Sequence, residues 1–141
     1  MVQMNEAQWR EFVMTGTRTG KLAVAGADGR PHVSPVWFAL DGDDVVLNTG
    51  EKSLKARVMR HNPQVALCVD DDRPPFSFVI IEGTAELSGD VAEVRHWATV
   101  LGGRYMGAGR AEEFGERNGV PGELLVRIHV SKVIAQRDIA D

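Results

Sequence analysis

The stretch "NTGEKSLKARVMRHNP", residues 48 to 63, sets Lys52, Lys55, Arg57 and Arg60 within nine positions of a chain that is acidic overall. It reads as a short helix that opens near Glu51 to Ser53 and breaks at Asn62-Pro63. Lys52 and Lys55 then lie at the helix N-terminus, where the dipole favours negative charge by roughly 0.3–1 kcal/mol. A phosphate bound there removes the conflict, because free backbone N–H groups, the Thr49 and Ser53 hydroxyls and Lys55 would converge on it. The alternative is a solvated face whose lysines project into water and contribute little. Charge alone leaves both open.

Other candidate motifs carry less chemistry. "GTRTGK" (16 to 21) is one residue short of a phosphate-binding P-loop between its glycines, and Leu22 stands where a Ser or Thr should follow the lysine. The glycines at 102, 103, 107 and 109 do not form G-x-G-x-x-G after a strand and read as helix terminators. His32, His61, His96 and His129 are scattered, with no Cys or carboxylate at ligand spacing, so no metal site is expected. No serine sits in a G-x-S-x-G elbow. No side chain is assigned a catalytic role.

Composition narrows the classes further. At 141 residues the chain suits a single domain, 1–141, with one core. Sixteen basic residues against twenty acidic ones give a net charge of -4, which excludes the global basic field of a non-specific nucleic-acid binder. Any anion site is therefore local. The one cysteine, Cys68, lies among apolar neighbours in "VALCV" and reads as a small buried hydrophobe. Apolar runs of about five residues, such as "VWFAL", offer neither a spanning helix nor a signal peptide. A soluble, cytoplasmic protein is expected.

The elements that must position the basic segment follow from periodicity. "NEAQWREFVMTG" has Asn5 as N-cap, Gln8 completing a capping box, and Trp9, Phe12 and Val13 at helical spacing. The run from Lys21 to Thr49 gives three β-favouring stretches punctuated by "ADGR" and "DGDD". "QVALCVD" and "FSFVIIEGTAELS" follow, with Gly83 marking a bulge or a close backbone approach. Asp90 and Glu93 form a second capping-box pattern, opening a helix with Val91, Val94, Trp97, Ala98 and Leu101 on one stripe. A short polar helix, "RAEEFGERN", and a last strand, "ELLVRIHVSKVIAQ", complete six strands and about four helices. In "PHVSPVWFAL", Val33, Pro35 and Trp37 point one way and Val36, Phe38 and Leu40 the other. A strand apolar on both faces implies that one face fills a barrel while the other meets a helix, a ligand or a second subunit.

With these residues in hand, the chain resembles the split β-barrel flavin and deazaflavin oxidoreductases related to pyridoxamine 5'-phosphate oxidase. The likeness is carried by "GRPHVSPVWFALDGDDVVLNTGEKSLKARVMRHNPQVALCVDD", by "PPFSFVIIEGTAEL" and by "RYMGAGRAEEFGERNGVPGELLVRIHVSKVIA". Together they look most like the branch that uses coenzyme F-420, a deazaflavin. The resemblance implies an α+β fold, a six-stranded antiparallel split β-barrel with flanking helices. It also implies that Thr49, Ser53 and Lys55 grip a cofactor phosphate with Arg57 and Arg60 in support, and that Val33, Pro35, Val36 and Trp37 face the tricyclic ring. The family's sites form at a homodimer interface, where the partner chain would contribute Phe76 and Phe78.

Two departures are visible. Val58 stands where many relatives have Asn, and the ending "VIAQRDIAD" lacks the aromatic and basic tail similar to that of true pyridoxamine phosphate oxidases. Vitamin B6 oxidation is therefore not expected. The resemblance implies hydride transfer from coenzyme F-420 to a small conjugated or unsaturated acceptor, with solvent free to supply any proton. The alternatives are an FMN-dependent oxidase or reductase on the same fold and a non-catalytic flavin, deazaflavin or haem carrier. No nucleic-acid or membrane partner is implied.

Overall fold

Thirty-four buried residues, nearly all apolar, come from every principal strand and helix, and the sheet they line curls on itself. The computed structural model describes residues 1–141. Its strands are β1 (Val2–Gln3), β2 (Gly20–Ala25), β3 (Pro31–Val36), β4 (Ala39–Asp41), β5 (Asp44–Gly50), β6 (Gln64–Asp71), β7 (Ser77–Ser88) and β8 (Glu123–Arg137). The helices are α1 (Glu6–Met14), α2 (Leu54–His61), α3 (Val91–Met106) and α4 (Ala111–Asn118), with a 3-10 turn at Ala108–Arg110. One antiparallel sheet runs in the order β3-β2-β6-β7-β8-β5-β4, with β1 added to the end of β8. This is the α+β split barrel that the sequence implied.

The strand count is eight rather than six. The expected single strand "PHVSPVWFAL" breaks at Trp37 and Phe38 into β3 and β4, and the two-residue β1 is too short to show periodicity. Because β3 and β4 are the two free edges of the sheet, only those two residues carry the chain from one edge to the other. The sheet must curl to allow it.

Inside the barrel, alternate residues of β2, β6 and β7 (Leu22 and Val24; Val65, Leu67 and Val69; Val79 and Ile81) pack with Val45 and Leu47 of β5. α1 closes one end with Trp9 and Val13, held by the expected capping box: Asn5 Oδ1 accepts from Gln8 N–H, and Gln8 Oε1 from Asn5 N–H, both at 2.9 Å. A second apolar layer, Ala39, Val46, Val94, Leu101 and Leu125, lies between β4, β5, β8 and α3. β5 is thus buried on both faces.

Two expectations about α3 change. Asp90 caps it by accepting from Ala92 and Glu93 N–H groups, but the Glu93 carboxylate accepts from Ser88 Oγ instead of turning back to the cap. Gly102 and Gly103 do not end the helix, which continues to Met106 with Gly107 as its C-cap. Gly102 instead lets α4 approach, since a Cβ there would overlap the Phe114 side chain.

Gly83 has both roles that the sequence allowed. The β7–β8 register shifts between Glu82 and Gly83, and a Cβ at Gly83 would collide with the His129 carbonyl. Gly83→Ala should therefore lower stability by about 1–3 kcal/mol in urea unfolding, as overpacking against rigid backbone does. Gly109→Ala, with open space around it, should change little. Equal midpoint shifts for the two variants would contradict this account.

On the barrel's outer side, His129 is hydrogen bonded to Glu86 Oε2 at 2.8 Å and Asp44 Oδ1 at 3.1 Å, and Arg127 bridges Asp41 and Asp44. The Glu86 carboxylate first, and Asp44 with it, push the His129 pKa up. A raised folded pKa gives stability that is complete below the unfolded value of about 6.5 and is lost as pH rises through the folded one. The stability difference between the parent and His129→Gln should therefore be larger near pH ~5.5 than near pH ~9, read from paired urea titrations. A difference that grows with pH would refute the assignment.

Candidate functional site

α2 crosses the split between the barrel's edges, contacting β2 on one side and β5 on the other. Ala56, Val58 and Met59 are buried beneath it, while Lys52, Arg57 and Arg60 are exposed. Val58, where Asn was noted in relatives, is a core residue at 8% exposure, so apolar packing accounts for its type. Ser53 is the N-cap: its Oγ accepts from Ala56 N–H at 3.1 Å and lies 2.9 Å from Thr49 Oγ1. Thr49 is the one polar residue among the buried set, so its hydroxyl anchors the cap. Lys55 follows in the first turn, with Nζ 3.4 Å from Ser34 Oγ.

None of Lys52, Lys55, Arg57 and Arg60 is ion-paired with a carboxylate. Their charge is uncompensated in a chain with surplus carboxylates, although Arg60 does donate to the Glu51 carbonyl. Lys55 differs from the others in position, because it lies between two cavities. One, of about 210 Å3, is lined by Pro35, Val36, Trp37, Asn48, Lys55, Ala98, Leu101 and Asn118. The other, of about 230 Å3, is lined by Leu22, Val24, His32, Val33, Ser34, Ser53, Leu54 and Lys55.

The structure thus gathers Pro35, Val36, Trp37 and Lys55 around the first cavity, and Val33, Ser53 and Lys55 around the second. Thr49 supports Ser53 from behind. Arg57 lies on the far side of α2, in a depression with Gly26, Ala27 and His61. Phe76 and Phe78 line neither cavity of their own chain. Phe76 is 42% exposed with φ at 66°, left-handed backbone for a bulky residue, and it immediately precedes β7.

Several lining residues escaped the sequence reading. Asn48 lies on the α3 side of β5; its Nδ2 donates to the Val94 carbonyl at 3.2 Å, and its Oδ1 is buried with no hydrogen-bond partner. The broken alternation of β5, polar at Asn48 between Leu47 and Thr49, was the available signal. Ala98, Leu101 and Asn118 enter only because α3 and α4 fold back over the sheet. Tyr105 stacks on Trp37, with ring centroids 5.1 Å apart and planes 7° from parallel. Burial pushes the Tyr105 phenol up, which keeps it an O–H donor, to the Arg18 carbonyl at 2.9 Å.

A cationic end and a flat apolar wall, set at the seam of an antiparallel split barrel, define the class. The chain belongs to the pyridoxamine 5'-phosphate oxidase family, whose sequence profile matches residues 6–137. Among solved structures, it is similar to a conserved hypothetical protein from Mycobacterium tuberculosis, with TM-score 0.83 and 28% identity over 98% of this chain and 89% of that one. An F420 reductase superposes with TM-score 0.69 at 23% identity, over 87% of this chain and 94% of that one. Among characterised proteins, a 5a,11a-dehydrotetracycline/5a,11a-dehydrooxytetracycline reductase from Streptomyces rimosus is 39% identical over 75 residues, 48% of this chain. That match spans 53% of the relative's length. No helix is long and apolar enough to cross a membrane.

Proposed function

We propose that the chain is an oxidoreductase that binds coenzyme F-420 and passes a hydride to a small conjugated or unsaturated molecule. The observation that carries this reading is the place of Lys55: a cation with no carboxylate partner, between a cavity that holds the Ser34 and Ser53 hydroxyls among apolar residues and one walled by Pro35, Val36 and Trp37. A phosphate joined to a planar ring fits that pair of surroundings. The names of the S. rimosus reductase and the F420 reductase support it.

When bound, a deazaflavin supplies a two-electron hydride transfer and reacts poorly with oxygen. The chain's own residues have simpler tasks. Lys55 and Ser34 would hold the anion, aided by the N–H groups at the α2 N-terminus. Pro35, Val36 and Trp37 offer a flat apolar surface, and the buried Asn48 Oδ1 is an acceptor still without a donor at the cavity wall. Ala98 and Leu101 of α3 shield that side from water. Any proton for the reduced product comes from solvent.

The second cavity opens toward a surface that suits a second copy of the chain. Opposed residues of antiparallel strands share a face, and one such row runs Pro35, Lys21, Cys68, Ile80, Ile134; the next runs Val33, Ala23, Ala66 and ends on the charged pair Glu82 and Lys132. Val33 is 70% exposed. This outward face, with Phe78 at its end, matches the two-sided apolar pattern read in the sequence. A homodimer closed over it would bring the partner's Phe76 and Phe78 to the site.

Lys55→Ala should weaken binding of oxidised coenzyme F-420 by roughly ten- to a hundred-fold, the scale of a lost charge-assisted hydrogen bond of about 1.5–3 kcal/mol. Arg57→Ala, on the far side of α2, should stay within about threefold. Fluorescence titration decides; FMN retained through purification with no F-420 affinity would overturn the cofactor assignment. Sedimentation at micromolar concentration should give twice the chain mass, and Ile80→Glu should give the single-chain mass with weakened F-420 binding. An unchanged mass in that variant would place the interface elsewhere.

A further inference from the structure

The inward row of the barrel changes character at one end. Val69, Val79 and Ala135 face the core from β6, β7 and β8 at opposed positions of the ladder. Two residues further along each strand, on the same face, stand Asp71, Ser77 and Arg137. α1 lies across this mouth with Gln8, Glu11 and Phe12, and together they border a cavity of about 370 Å3. It is larger than either cavity at the seam and shares no residue with them. Barrel mouths are frequent places for small-molecule sites.

Some of the polar groups around it are already engaged. Arg18 donates to the Phe12 carbonyl at 2.9 Å and to Asp71 at 3.3 Å, and lies 4.3 Å from the centroid of the Phe12 ring. Asp71 also accepts from Arg73 at 3.0 Å, and that bond above all pulls its carboxyl down to about 2. Other groups have capacity left. Gln8 Oε1 is committed to the Asn5 N–H, which leaves its Nε2 with nothing to donate to. Ser77 Oγ accepts from Asp138 N–H at 3.3 Å, and its own proton is unused. Arg137 has only its neighbour Asp138, at 3.7 Å. Against these three donors stands Glu11, whose carboxylate enters no hydrogen bond and no ion pair, with Arg137 or any other cation.

Unused donors on the strand ends and an unused carboxylate on the helix call for a ligand that carries both charges. The carboxylate of a free amino acid would accept from Gln8, Ser77 and Arg137, and its ammonium would donate to Glu11. Phe12 and the buried Met4 supply apolar surface for its side chain. A simple acid would leave Glu11 unpaired beside a second carboxylate, and a simple amine would leave the three donors without an acceptor. The rim is also firmly set: it holds the chain's two non-glycine residues with left-handed backbone, Phe76 and Asp138. Ile139 N–H donates to the Phe76 carbonyl and Ala140 N–H to that of Pro75, both at 2.9 Å, which fixes the end of β8 against the start of β7.

We propose that the barrel mouth is a second ligand site, separate from the seam, that binds a free α-amino acid with an apolar side chain between Glu11 and Arg137. It stands apart from the cofactor reading and does not depend on it. L-Leucine, titrated into 15N-labelled protein without cofactor at neutral pH and low salt, is the probe. The backbone signals of Gln8, Glu11, Ser77 and Asp138 should move saturably, while the Trp37 indole signal stays in place. N-Acetyl-L-leucine, which lacks the ammonium, and L-leucinamide, which lacks the carboxylate, should each bind at least about tenfold more weakly. Glu11→Gln and Arg137→Gln should each weaken leucine by about tenfold and leave both the urea midpoint and F-420 affinity at the parent's values.

Shifts that fail to saturate in the parent, or that fall on the seam cavity instead, would overturn the site. N-Acetyl-L-leucine or L-leucinamide binding as tightly as leucine would overturn the amino-acid assignment, and needs no variant to fold. Unchanged leucine affinity in either Glu11→Gln or Arg137→Gln would overturn the pairing that the geometry points to.

Discussion

The sheet's two unpaired edges, β3 and β4, are separated in the chain by Trp37 and Phe38 alone. A covalent link that short permits no flat sheet of this strand order: the strands between must wrap until the edges meet. Curling closes the barrel around Leu22, Leu67, Ile81 and Leu47, and leaves a seam where backbone hydrogen bonding stops. α2 fills part of that seam from above, and α3 holds its corner from the side, where the Tyr105 hydroxyl accepts from Phe38 N–H and the Arg104 guanidinium donates to the Phe38 carbonyl. Both cavities lie along this line because there the ladder ends and side chains take over.

The seam also explains why the basic segment stands where it does. A helix laid across a gap between edge strands can bury only one narrow face, here Ala56, Val58 and Met59. Its N-terminus projects over the gap. Ser53 satisfies one free N–H, that of Ala56, and Thr49 fixes Ser53 from the buried side. Lys55 is then carried by the helix turn to the boundary of both cavities, whereas Arg57 is rotated to the opposite side. Arg60 and His61 fall in the last turn, where positive charge suits the dipole. Four similar cations thus have different surroundings for reasons of helical geometry.

Local signals in the sequence reported what local physics decides. The Asn5–Gln8 capping box, the α2 limits, the Asp-Gly hairpins and the special place of Gly83 all depend on a few neighbouring residues, and all were legible. Where a distant partner decides, the sequence reading failed. Gly102 reads as a helix stop until Phe114 is known to occupy the space of its missing side chain. The break between β3 and β4 is set by barrel closure, which no run of β-favouring residues reveals. The cavity lining divides likewise: Lys55 drew notice through local charge, and Pro35, Val36 and Trp37 through the family resemblance, while Asn48, Ala98, Leu101, Asn118 and the Tyr105 ring come together only through the fold-back of α3 and α4.

The cavity's two ends come from different lengths of chain. Lys55 and the Pro35–Trp37 surface belong to residues 34–55, and the opposite wall, Ala98, Leu101 and Asn118, to a helical hairpin within residues 94–118 that packs chiefly on itself. Such a division makes the hairpin a heritable cassette. A recombination event that exchanged this one contiguous segment would change the shape of the wall and leave Lys55 and Ser34 untouched, so descent with new chemistry requires no rebuilding of the barrel.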